Sequence, residues 1–168
     1  MIILRFVNHR IIGSYLIDFQ SMGRYSHVEA LTPEKTYIGA HADTGVQARP
    51  MGYDAGTFDR EKFLLLPAVS DISAKFYHYL KAVIGEPYDF GAIAGFVAHF
   101  DIHQKHRVIC SALQALALRG CQYLPVPLPV PAHEIDPRDL ELGLSMRPDV
   151  REIKPDDPEF RAHIAANG

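Results

Sequence analysis

The chain has 168 residues, 48% of them hydrophobic and 22% charged, enough for one domain with a substantial core and too few for two. Its formal charge of −3, with Lys and Arg scattered along the chain, provides no basic footprint, so nucleic acid is not an expected partner. No uninterrupted apolar run reaches the length of a membrane span, so no transmembrane segment is expected.

Residues 2–7 form a short apolar run with neither a basic region before it nor a small-residue cleavage site after it. No export signal is read there, so a cytoplasmic location or delivery by another machine is expected. The same run begins a series of β segments: 2–7, 10–18, 25–31, 35–40 and 45–49. Turns at 32–35 and 42–45 separate the later ones, which predicts an antiparallel meander. Within the third segment, alternation puts His27 and Glu29 on one face and Val28 and Ala30 on the other.

From residue 71 the apolar period changes. Ile72, Phe76, Tyr79, Leu80 and Val83 fall on one helical face, with Asp71 near the start and Gly85 past the end, predicting a helix over 71–84. A second helical stretch is predicted over 90–99, after Glu86-Pro87, with Asp89 as its cap. The third opens at Cys110 and runs through an Ala/Leu-rich stretch to Gly120. Residues 124–131 alternate Pro with Val and Leu and suit an extended polyproline strap. The chain thus divides into a domain over 1–130 and a proline-rich C-terminal extension over 131–168. Beyond a short helical signal at 136–140, the last dozen residues are expected to be mobile.

Cys110 carries the sharpest chemical signal. Helix N-termini favour negative charge through their unpaired N–H groups and dipole, so a thiol there is expected to move toward the thiolate. Its bland counterpart is a packed core cysteine. Cys121, eleven positions on, would lie roughly 16 Å away along a helix, out of disulfide reach.

Three short segments, Tyr25-Ser26-His27-Val28, Gly85-Glu86-Pro87-Tyr88-Asp89 and Cys110-Ser111, occur in an order that resembles the circularly permuted papain-like hydrolases of the NlpC type. The resemblance implies an α+β fold, an antiparallel sheet packed on a helical layer, and a cysteine peptidase or amidase that cleaves amide, ester or thioester bonds through a thioester acyl-enzyme. Cell-wall peptides or acyl conjugates would be its substrates, and it would need no cofactor. Cys110 would be the nucleophile and His27 its base, with Tyr88, Tyr25 and Ser111 as substrate-binding or oxyanion-supporting residues. Where the family often places a polar orienter, this chain has Gly39. Glu29, two residues beyond His27 on the same face, is the preferred substitute, His41 the alternative, and a water or backbone carbonyl would also serve.

Two rivals stand beside this reading. One is an inactive scaffold acting as a binding or structural module, as in a phage tail or secretion assembly. The other is a metal-binding protein built on His99, His103 and His106, with Asp101 nearby, because two histidines four apart on a helix share a face.

Overall fold

The computed structural model describes residues 1–9, 24–41, 44–86, 109–124, 132 and 135–166. The expectations for strand 10–18, helix 90–99 and most of the proline-rich strap lie outside them.

The described elements form an α+β structure with a six-stranded antiparallel sheet. The strands are β1 (Ile2–His9), β2 (His27–Leu31), β3 (Thr36–His41), β4 (Gly45–Pro50), β5 (Phe58–Leu66) and β6 (Arg151–Ile153). Their order across the sheet is β4-β3-β2-β1-β5-β6. The helices are α1 (Ser70–Ala82), α2 (Ile109–Gly120), α3 (Pro137–Ser145) and α4 (Pro158–Ala165). No helix among the described residues is long and apolar enough to cross a membrane.

β1 is central and buried along nearly its whole length, and its two faces serve different cores. Ile2, Leu4 and Phe6 join Val28, Ala30, Ile38 and Ala40 against Phe76 and Leu80 of α1 and Leu113 and Ala117 of α2. Ile3, on the opposite face, joins Leu31, Tyr37, Phe63 and Leu65 against Phe160 of α4. This alternation is what a strand covered on both sides requires. Gln114, fully buried on α2, donates from Nε2 to the Ile38 carbonyl at 3.0 Å and pins the helix to β3.

β5, the longest strand among the described residues, is absent from the sequence-based expectation. Its first half is charged, Asp59-Arg60-Glu61-Lys62, and only Phe63-Leu64-Leu65-Leu66 is apolar and buried, so alternation is absent and a four-residue apolar run marks only its second half. Two endings also differ from expectation. The turn after α2 is made at Gln122 rather than Gly120: Gln122 takes a left-handed φ of 61°, and Tyr123 N–H and Gln122 N–H donate to the Leu118 and Arg119 carbonyls. The last dozen residues, for which mobility is expected, carry α4, where Phe160 packs edge-on against Phe63 with ring centroids 5.0 Å apart. Just before them, β6 extends the sheet at its β5 edge.

Candidate metal centre

β2 carries the first two side chains of the site. His27 and Glu29 share a face, as alternation requires, while Val28 and Ala30 point into the α1–α2 core. On one side, β1 places Arg5 directly opposite Glu29. On the other, β3 pairs with β2 at Ala30–Ile38 and Leu31–Tyr37. Continuing that antiparallel register sets Gly39 against Glu29 and His41 against His27. The two imidazole rings lie 4.8 Å apart, centroid to centroid.

The histidine nitrogens converge on one oxygen. Glu29 Oε1 lies 3.3 Å from His27 Nε2 and 3.5 Å from His41 Nε2, and one ligating atom from each of the three residues falls within a 4.8 Å span. Tyr53 donates its hydroxyl to the same oxygen at 2.8 Å. The other carboxylate oxygen, Oε2, accepts from Arg5 Nη1 at 3.1 Å. Gly39 makes this crowding possible, since a Cβ there would lie 2.9 Å from Glu29 Cγ and 3.3 Å from His27 Nε2.

Arg5 is itself held on several sides. It grips Asp54 with a two-pronged contact at 2.9 and 3.1 Å, donates from Nε to Glu61 at 2.6 Å, and lies over the Tyr37 ring at 4.4 Å. It is 1% exposed and Glu29 0%, so both charges depend on these partners. Tyr53 and Asp54 come from the segment between β4 and β5, where Gly52 and Gly56 adopt φ values of 80° and 81° that suit glycine.

Burial alone would push the Glu29 carboxyl up, but His27, the Tyr53 hydroxyl and Arg5 outweigh it and hold the pKa at about 2. For His27, burial pulls down while the charge of Cys110, a hydrogen bond to it, and then Glu29 pull up, raising the imidazole to about 10. His9 stands at the margin, its ring 5.9 Å from that of His27 and its Nε2 3.9 Å from Asp54 Oδ2.

The structure therefore brings together four residues singled out from sequence: Cys110 in the first turn of α2, His27, Glu29 and His41. Cys110 and Cys121 are both free and buried. Two other candidates are placed elsewhere. Ser111 is fully buried, with its hydroxyl donated to the Ile135 carbonyl at 2.7 Å, so it faces packing rather than a substrate. Tyr25 packs against Phe6 with ring centroids 6.0 Å apart. Tyr88, Asp89, Asp101 and the cluster His99, His103 and His106 lie outside the described residues.

Arg5, Tyr53 and Asp54 are not among the residues singled out from sequence. A signal for Arg5 is present, because a lone cation within the apolar run 2–7 must find buried counter-charges. Nothing comparable marks Tyr53 and Asp54, which loop geometry alone brings in.

No known family matches the sequence, and no curated protein matches it. Among solved structures, the chain is similar to the metalloprotein YiiX of Escherichia coli O157:H7, a DUF1105 protein. The match has a TM-score of 0.62 at 16% identity and covers 93% of this chain and 97% of that one. Such a likeness establishes a shared fold. It also corrects the resemblance drawn from sequence: assignment to the permuted papain-like NlpC-type hydrolases does not stand, since no such family matches and the structural neighbour is a DUF1105 metalloprotein. The physical reason is the brevity of the anchors. A Cys–His approach and three short motifs can arise on a sheet-and-helix scaffold without common descent.

Proposed function

We propose that this protein binds a divalent transition-metal ion through His27 Nε2, Glu29 Oε1 and His41 Nε2. The observation that carries the reading is the convergence of these three atoms within 4.8 Å, around a buried Glu29 carboxylate. The donor set fits such an ion: two imidazole nitrogens and a carboxylate oxygen suit zinc or ferrous iron, and three protein ligands leave coordination positions for other molecules. Two details agree with it. His27 Nε2 is buried and meets no aligned hydrogen-bond partner, and Gly39 leaves clear a space that any side chain would fill. The charges point the same way, because Arg5 faces three carboxylates at once, those of Glu29, Asp54 and Glu61. YiiX, described as a metalloprotein, supports the same class of function, and the ligands proposed for this chain differ from the His99 cluster that the sequence suggests.

A metal held there would supply Lewis acidity to a polar substrate group. The chain's own residues set the stage. Tyr53 and Arg5 keep Glu29 ionised and oriented, and Arg5 is fixed in turn by Asp54 and Glu61.

A second reading rests on the contact between His27 and Cys110. In it, Cys110 Sγ attacks an acyl carbon and His27 protonates the departing amine or alcohol, leaving a thioester for water to resolve. One experiment addresses both readings: calorimetric titration of chelator-treated protein with zinc chloride, followed by iodoacetamide labelling of the zinc-free form. The metal reading expects saturable binding that His41→Gln abolishes, and unchanged heats in that variant would refute it. The thiol reading expects Cys110 to label far faster than Cys121, and equal slow labelling would refute it.

A further inference from the structure

Glu29 has two carboxylate oxygens, and the structure gives each of them one hydrogen-bond donor. Oε2 accepts from Arg5 Nη1 at 3.1 Å and is turned toward the guanidinium, while Oε1 is the oxygen that approaches both imidazoles. Oε1 accepts the Tyr53 hydroxyl at 2.8 Å, leaving a single lone-pair direction toward the two imidazoles. Arg5 is held against drifting away from Oε2, because Nη1 and Nη2 also grip Asp54, Nε donates to Glu61, and its plane is stacked over Tyr37.

We propose that Arg5 is the positioning residue of the centre: by holding Oε2 it makes Glu29 a one-oxygen ligand and keeps the site to three protein donor atoms. This rests on the metal reading given above. A bidentate Glu29 would fill a further coordination position and change the geometry of any bound ion. The planar guanidinium is essential to the role. A lysine could match the charge, but not the two-pronged contact with Asp54 together with the separate donations to Glu29 and Glu61.

The test uses Co(II) as the probe, because the intensity of its visible bands reports coordination number. Wild type, Arg5→Lys and Asp54→Asn are loaded with cobalt, and both the spectrum and the dissociation constant are recorded. Arg5→Lys is expected to weaken cobalt binding by about 10–100-fold, as loss of a residue that orients a ligand does, and to lower the band intensity as Oε2 enters coordination. Asp54→Asn, which loosens Arg5 without removing it, should move the spectrum in the same direction by less, and it decides the matter if Arg5→Lys does not fold. A folded variant whose cobalt spectrum superimposes on wild type would overturn the positioning role while leaving the metal site standing. Failure of wild type to bind cobalt or zinc would overturn both.

Discussion

At the residue scale, Gly39 shows how a missing side chain defines a site. Read from sequence, this glycine is the loss of an orienting group, whereas the structure gives it a different role as the clearance into which Glu29 and His27 fit. A methyl group at 39 would be forced to within 2.9 Å of Glu29 Cγ, which is pinned by Arg5 and Tyr53 and cannot easily yield. Gly39→Ala is therefore expected to destabilise the protein by about 1–3 kcal/mol, the usual range for overpacking, and to weaken zinc binding alongside. Urea denaturation of the metal-free protein checks the first part and zinc calorimetry the second. Wild-type values for both would show that the contact relaxes freely.

At the scale of elements, the strands legible in the sequence are those with plain alternation. β2 and β3 fall within a residue or two of their expected bounds, and with them comes the shared face of His27 and Glu29. Helix α1 is equally clear, since Phe76 and Leu80 are both fully buried as their spacing requires. What escapes is anything whose reason lies across the fold. β5 hides behind four charged residues, one of which, Glu61, meets Arg5. His41 is noticeable in the sequence as a neighbour of Gly39, but its convergence with His27 needs the β2–β3 register, which no local pattern encodes.

α4 is another such case, and it carries a pH prediction. His163 Nε2–H donates to the Leu31 carbonyl at 2.8 Å, and the Tyr77 hydroxyl donates to the same oxygen at 2.9 Å. Burial lowers the pKa of His163 below its ordinary 6.5, assisted by the chain's amino terminus and opposed by the Leu31 hydrogen bond and by Glu34. A lowered folded-state pKa means that protonation favours the unfolded chain. The contribution of His163 is thus fully present above pH 6.5 and is lost as pH falls through its folded value. His163→Gln keeps a donor for Leu31 but cannot titrate. Unfolding free energies measured between about pH 7.5 and 5.5 should fall more steeply in wild type than in this variant, and parallel curves would contradict the assignment.

At the scale of the whole molecule, the sheet does more than support the helices. Its side facing α1 and α2 builds the larger apolar core, while the other side, besides packing α4, collects Arg5, Glu29, Gly39 and His41 into a polar centre that loop residues Tyr53 and Asp54 complete. The fold shared with YiiX supplies the scaffold, and the proposed chemistry belongs to these side chains. The proposed metal centre is tested most directly by the metal content of protein purified without chelator, measured by inductively coupled plasma mass spectrometry, for wild type beside a Glu29→Gln/His41→Ala double variant. Close to one zinc or iron ion per wild-type chain, with almost none in the folded double variant, is the predicted result. A metal-free wild type that also takes up no ion on addition, or a double variant that retains the full complement, would contradict it.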